Sequence, residues 1–244
     1  MKEKRYNVLL IGSSSPHVAN HLMRIIGGPF NIEVITDSNR FLDPNQKWTK
    51  ISFVLSNIFN WFTAVKIIKQ KIIGSETDVI HVHQANSIAF FSVLANRKRK
   101  LPIVLTAWGS DILINPKKFF LLRYMVKFIL KRVTFITSDS EFMAQEIRKL
   151  VPSLNPDITI CNFGVEESTI PIVKLNIIYS NRSHNPLYRI QEVIKGFDQF
   201  INSNPKEDWT LILAGAGSET IKLKALVDKF NLSEKVQFVG FVNS

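Results

Sequence analysis

The sequence predicts an α/β protein made of two parallel-sheet modules, the second of them incomplete. Three observations predict it. Short, nearly all-apolar runs alternate with helix-like segments, the pattern of parallel strands covered on both faces. The alternation lapses once, at residues 162–174, and then restarts. The charge divides at the same place: residues 1–163 hold 22 Lys and Arg against 11 Asp and Glu, whereas residues 164–244 hold nine of each. The net charge of +11 therefore belongs to the first module, which suits an anionic surface as its partner.

In the first module YNVLLI (6–11), IEVI (32–35), DVIHV (78–82), PIVLT (102–106), VTFIT (133–137) and ITIC (158–161) are β-branched or aromatic runs bounded by polar residues, Gly or Pro. These are the marks of strands. Helices are expected near 17–26, 54–73, 86–98, 117–131 and 139–150. The last opens on Ser138 or Asp139 as its N-cap, with Glu141 in the first turn to complement the helix dipole. Residues 164–174 read as a linker between a domain at 1–163 and one at 175–244. The second module supplies strands LNIIYS (175–180), WTLILA (209–214) and VQFV (236–239), with helices at 187–202 and 218–230. Three parallel strands and two helices leave much apolar surface uncovered, so this module is expected to be part of a larger domain.

Composition narrows the class. With 45% hydrophobic and 21% charged residues, the chain buries a core and is no disordered tail. A lone cysteine, Cys161, excludes an internal disulfide and suits a reducing compartment. The apolar run near the N-terminus is too short for a signal-peptide core, and no apolar stretch reaches the ~18 residues of a membrane span. A cytoplasmic location is expected.

Ligands of open α/β sheets bind at the carboxyl ends of the strands, so the loops there carry the candidate residues. Gly12 and Ser13 open the small-residue loop GSSSPH, a candidate donor-binding site for phosphate at a helix N-terminus or a tight turn with Pro16 near the helix start. Gly215 and Gly217, in GAGS, resemble half of a dinucleotide fingerprint, but its third glycine and its ribose-binding acid are missing. Close packing of helix on strand is the other reading of that loop. His81 and His83 are read as facing opposite sides of their strand and so as unable to share a metal, with His83 the better site candidate. His17, His21 and His184 lack Cys or acidic neighbours at ligand spacing, so no metal site is expected. Asp139-Ser140-Glu141 mimics a metal motif but reads as helix capping. The segment NPKKFFLLRYMVKFILKR (115–132) interleaves apolar residues with Lys117, Lys118, Arg123, Lys127, Lys131 and Arg132. It fits an anionic lipid surface or an ordinary covering helix with snorkelling cations.

In order, DVIHVHQAN, TAWGSDI, ITSDSEFMAQEI, ITICNFGVE, IIYSNR, SHNPLYRIQEVIKGF, LILAGAGSE and KVQFVGFV resemble the consecutive landmarks of glycosyltransferase family 4, the glycosyl transferases group 1. The resemblance spans essentially the whole chain. It implies the GT-B fold, with two Rossmann-like domains: the first takes the acceptor, the second a nucleotide-sugar donor. It further implies retention of configuration, no required metal and no other cofactor. Acceptors in such relatives include lipid-linked glycans of O-antigen, capsule and other exopolysaccharides. The chain would then work in the cytoplasm, peripherally on the inner face of the plasma membrane.

The resemblance also assigns roles. Arg182 matches the family's diphosphate-binding arginine, and Arg189 is the candidate for a second cation where many relatives carry a lysine. TAWGSD occupies a loop where many relatives place a histidine beside the transferred sugar. Here that position is Trp108, which can stack on a sugar and donate one hydrogen bond but cannot relay a proton. Gly109 gives backbone access, and Ser110 and Asp111 can bond hydroxyls, unless the stretch is simply a capping turn. The family's acidic donor-sugar motif is absent from these 244 residues, which are therefore expected to be either a fragment of a longer enzyme or a truncated product that binds acceptor, with weak or no transfer alone. Two other classes stay open on sequence: an NAD(P)-linked Rossmann enzyme and a basic nucleic-acid-binding protein, the first lacking its fingerprint and the second any recognition motif.

Overall fold

A computed structural model describes residues 5–98, 100–153, 157–162 and 173–242. The chain divides into two compact units, Met1–Val165 and Glu166–Ser244. Most of the expected linker, and the side chain of His17, lie outside the described residues.

Strand β1 (Tyr6–Ile11) sets the plan of the first unit. Its Leu9 and Ile11 enter one buried cluster and its Leu10 another, because successive side chains of a strand point to opposite faces. Both faces therefore need a helical cover. Helix α1 (Pro16–Ile26) supplies Val18 and Leu22 on the Leu10 side, starting at Ser15, whose hydroxyl caps the Val18 N–H, with Pro16 in the first turn. Strand β2 (Phe30–Thr36) pairs with β1 in parallel. A short strand, β3 (Trp48–Lys50), extends that edge and has no apolar run that would announce it. Helix α2 (Ile58–Gly74) buries Ala64, Ile68 and Ile72 on the Leu9 side; it starts at the Asn57 cap, not at the expected 54.

Next come β4 (Val79–His83), α3 (Ser87–Asn96) and β5 (Ile103–Thr106). The helix expected over 117–131 is broken. Gly109, at φ +101, turns the chain into a π-helical segment, Ser110–Ile114. That leads into α4 (Asn115–Lys118), and Phe119 in extended backbone separates α4 from α5 (Phe120–Leu130). The break lets Lys117 reach Glu146 at 2.9 Å while Val126, Ile129 and Leu130 stay in the core. The unit closes with β6 (Phe135–Ser138), α6 (Glu141–Leu150) and β7 (Asp157–Ile160). The cap of α6 is Ser140, not Ser138 or Asp139: its side chain accepts from Met143 N–H, whereas the Ser138 hydroxyl donates to the Ser140 carbonyl. The sheet is wholly parallel, in the order β3-β2-β1-β4-β5-β6-β7, so the strand order reverses between β1 and β4. Open α/β sheets form their ligand crevice at such a reversal.

The second unit is a three-stranded parallel sheet of β8 (Ile177–Asn181), β9 (Thr210–Ala214) and β10 (Val236–Gly240), ordered β10-β9-β8. Helices α7 (Ile190–Ser203) and α8 (Thr220–Lys229) bury Ile194, Phe197, Leu223 and Val227 in one cluster with Leu211 and Leu213. A 3₁₀ turn, Pro186–Tyr188, precedes α7 where the sequence suggests helix from 187. Ile177, Tyr179 and Val239 stay exposed, the uncovered apolar surface expected of so small a sheet.

Candidate active site

In the first unit the loops after β1, β4 and β5 meet at the strand-order reversal. Gly12 is buried; a Cβ there would lie 3.0 Å from Val18 and 3.6 Å from the His83 Cβ, so the glycine lets the β1 loop close onto α1 and β4. The Gly12 N–H donates to the Ile35 carbonyl and the Ser14 N–H to Asp37 Oδ1 at 2.6 Å. Ser13 is half-buried in this capped turn.

Asp111 braces the neighbouring loops. Only 2% of it is exposed, and its carboxylate accepts the Ala85 N–H at 2.6 Å and the Trp108 N–H at 3.1 Å. Burial pushes its pKa up, and the amide donors pull it back. A carboxylate held in this way ties the β4 loop to the β5 loop and positions Trp108; its oxygens face backbone, not a hydroxyl-bearing ligand. Gly109 and Ser110 sit half-exposed and exposed at the head of the π segment.

Trp108 Nε1 donates to His83 Nδ1 at 3.1 Å. The expected use of that N–H on a sugar is therefore replaced by an internal bond, and stacking is what the indole can offer a ligand. His83 itself is fully buried and meets Trp108, not solvent.

The two strand histidines share one face, contrary to the sequence expectation. Residues two apart on a pleated strand point the same way, and the His81 and His83 rings stack at 4.7 Å between centroids. His21 of α1 completes a triad, with its ring 4.9 Å from His81 and 4.8 Å from His83. Sequence spacing hid this, because 60 residues and the placement of α1 over β1 and β4 intervene. Candidate ligand atoms of the three lie within 4.8 Å of one another. The hydrogen bonds give the cluster another character. An indole N–H only donates, so His83 Nδ1 accepts and the proton of the neutral ring sits on Nε2, a buried atom with no acceptor among the described residues. A metal at that nitrogen would have to displace the proton. Burial first, then mutual repulsion, holds His81 down to about 3 and His83 well below its ordinary value; burial and the Arg24 charge lower His21. The triad is neutral at neutral pH.

The second unit gathers its candidates in two adjoining loops. Asn181 and Ala214 pair at the ends of β8 and β9, and the Arg182 N–H donates to the Ala214 carbonyl at 3.3 Å. Gly215 has φ +116, and a Cβ there would collide with the Arg182 carbonyl; one on Gly217 would stand 2.5 Å from the His184 carbonyl. The His184 N–H donates to the Ala216 carbonyl and the Glu219 N–H to the His184 carbonyl. Thr220 Oγ1 takes the Gly217 N–H at 3.0 Å and meets His184 Nδ1 at the same distance. Both glycines are thus demanded by loop-on-loop packing, a tighter form of the packing reading of GAGS. This packing fixes the backbone of Arg182, whose side chain is exposed. Among the described residues no carboxylate lies within ion-pair distance of it, and its guanidinium stands 6.0 Å from the Tyr188 ring. Arg189 differs: it sits at φ +49 before α7, its side chain is 72% exposed, and it is 3.9 Å from Glu192. The sequence offered no signal for Asp37 or Thr220, whose roles exist only once the loops meet.

The sequence profile described as Glycosyl transferase 4-like matches residues 7–140, more than half of the chain. The chain belongs to this family.

Fold comparison agrees with that membership. The glycosyltransferase resembles a lipopolysaccharide outer core galactosyltransferase, WaaB, at TM-score 0.67 and 13% identity over 97% of this chain and 68% of that one. It resembles a glycosyltransferase from Rickettsia africae at TM-score 0.71 and 16% identity, over 98% and 69%. A UDP-GlcNAc 2-epimerase from Methanocaldococcus jannaschii shares the fold at TM-score 0.60 and 12% identity, over 98% and 74%. At such identities the likeness speaks for the GT-B fold alone; the family match separates this transferase from epimerases and sets aside the dehydrogenase and nucleic-acid readings. No curated protein matches its sequence.

The glycine packing of the second unit carries its own expected outcome. Gly215→Ala in this glycosyltransferase should cost at least about 2 kcal/mol, from strain at a positive φ and the clash with Arg182. Gly196→Ala, in an exposed turn of α7 with nothing within 4 Å of the added methyl, should instead stabilise by about 1 kcal/mol. Denaturant unfolding of the two variants checks both signs.

Proposed function

We propose that this glycosyltransferase moves a sugar, with retention of configuration, from a nucleoside-diphosphate sugar to a lipid-linked or polysaccharide acceptor at the cytoplasmic face of a membrane. The product class is a cell-surface glycan such as O-antigen or capsule. One observation carries the reading: Arg182 is an exposed guanidinium on a backbone fixed by the Gly215 loop, without a carboxylate partner among the described residues. A nucleoside diphosphate leaves with developing negative charge, and a pre-positioned cation stabilises that charge without reorganising. In a reading that needs no metal, Arg182 supplies this cation.

The first unit takes the acceptor. Trp108, held by its bond to His83 and by the Asp111 brace, offers an aromatic face to a sugar ring and no group that relays a proton. The acceptor proton then passes to an oxygen of the departing diphosphate, a step that keeps both reacting groups on one face of the sugar and so suits retention. Gly12 and Ser13 line the same end of the sheet. That WaaB acts in lipopolysaccharide outer core synthesis supports the choice of acceptor class by analogy of fold. Described helices long and apolar enough to span a membrane are none, so membrane contact in this reading is peripheral.

A thermal-shift screen of UDP-, GDP- and ADP-sugars, with and without EDTA, tests the proposal. One nucleotide class should stabilise the protein, by about 2.7 kcal/mol at 100 times its dissociation constant. No shift with any of them, or a shift that EDTA abolishes, would count against it.

A further inference from the structure

Helices α2, α3 and α5 cover one face of the first unit's sheet and leave between them a groove of about 950 Å³. Leu55, Trp61 and Phe90 form one wall and Leu121, Met125 and Phe128 the other. The volume lies at the upper end of the ~300–1,000 Å³ of ligand pockets, yet this one lacks the convergent polar groups that hold a sugar or nucleotide. What fits it is a long apolar chain. The groove lies among the helices of the sheet face, and Asp111, Trp108 and Arg182 do not line it.

Its rim names the headgroup. Lys127, Lys131 and Arg132 border the groove, and the Arg132 guanidinium is held 3.8 Å over the Phe128 ring while bonding the Phe128 carbonyl. The three helices contain no Asp or Glu at all; between residues 44 and 138 the chain has 15 Lys and Arg against three acids. Large apolar side chains stand in solvent on two of these helices: Phe59 and Phe62 on α2, and Phe120, Leu121 and Tyr124 on α5, each about 70% exposed or more, with Leu121 and Tyr124 lining the groove itself. Aromatic and aliphatic side chains flanked by cations, on helices too short to cross a bilayer, are the makeup of an interfacial surface. A second copy of the chain would bring the same positive face against it and be repelled.

We propose that this groove seats one acyl chain of an anionic phospholipid, with the phosphate against Lys127, Lys131 and Arg132 and the exposed aromatics at headgroup depth. The proposal rests on the reading that the enzyme works at an anionic membrane surface and gives that contact a defined receptor. It also explains why the excess charge is confined to the first module.

The test uses the protein with vesicles of phosphatidylglycerol whose acyl chains carry bromine, the same vesicles without bromine, and brominated phosphatidylcholine vesicles. No donor or acceptor is present, so its failure leaves the nucleotide screen and the transferase reading intact. Binding should be about 100-fold tighter to phosphatidylglycerol than to phosphatidylcholine. Bromine should quench tryptophan emission, and Trp61→Phe, which removes the groove's own reporter, should lose most of that quenching. Leu121→Glu/Tyr124→Glu, at exposed positions that leave the fold intact, should bind at least tenfold more weakly. Tight binding without bromine quenching would reduce the contact to surface charge and overturn the groove. Equal binding to phosphatidylcholine, or self-association in place of vesicle binding, would overturn it as well.

Discussion

Arg182→Ala is expected to slow sugar transfer by about 10²- to 10³-fold in any version of the enzyme that turns over, the cost of deleting one pre-organised group that meets developing charge. The effect should fall on kcat, because the diphosphate bears most charge as the sugar leaves it. Arg182→Lys should recover part of the loss, since an ammonium keeps the charge and forfeits the two-pronged fit to phosphate oxygens. Arg189→Ala supplies the contrast. Its side chain stands mostly in solvent near Glu192, so its removal should change the rate only a few-fold. Because Gly215 and the Ala214 carbonyl hold the Arg182 backbone, none of these side-chain changes should alter stability by more than about 0.5 kcal/mol.

Acidification should unfold the first unit before ordinary carboxylate titration would. His21, His81 and His83 have depressed pKa values in the fold, His81 to about 3, while an unfolded histidine titrates near 6.5. Between those values the unfolded chain binds the protons that the folded one refuses, so stability rises with pH there and falls as pH drops below about 6.5. Each fully refusing site costs about 1.4 kcal/mol per pH unit. For His81, held near 3, the loss reaches about 2.5 kcal/mol by pH 4.5, and the lowered His83 and His21 add to it in the same direction. Urea midpoints measured from pH 7.5 to 4.5 should decline steeply, and His81→Gln should flatten that decline even if it lowers the starting value. A flat profile in the wild-type protein would mean that the triad is solvated in a way its burial does not suggest.

Much of the architecture was legible because a parallel sheet covered on both faces needs strands apolar on both sides, and YNVLLI, PIVLT and WTLILA announce that directly. WTK announces nothing, and β3 pairs only because β2 offers it an open edge. The π segment after β5 depends on a positive φ at Gly109 and on Asp111 reaching back to Ala85, a contact between loops that no local pattern encodes. The same holds at the site. The glycines drew notice because their type and positions after strands suit phosphate, and Arg182 and Trp108 because the family resemblance marks their positions. How they are used was not readable: the Trp108 N–H goes to His83, and Gly215 and Gly217 make room for the backbone of a neighbouring loop. The histidine triad escaped for a different reason. The pleat repeats every second residue, so His81 and His83 had to share a face, and only the sheet order could bring His21 to them.

The central claim is that Arg182 receives a pyrophosphate, and calorimetric titration of UDP, GDP and ADP against their parent nucleosides, in the wild-type chain and in Arg182→Ala, tests it most directly. At least one diphosphate should bind wild type about tenfold or more tightly than its nucleoside, the worth of a charge-assisted contact, and Arg182→Ala should erase that margin while leaving nucleoside affinity unchanged. A margin that survives Arg182→Ala, or diphosphates that bind no better than nucleosides, would contradict it.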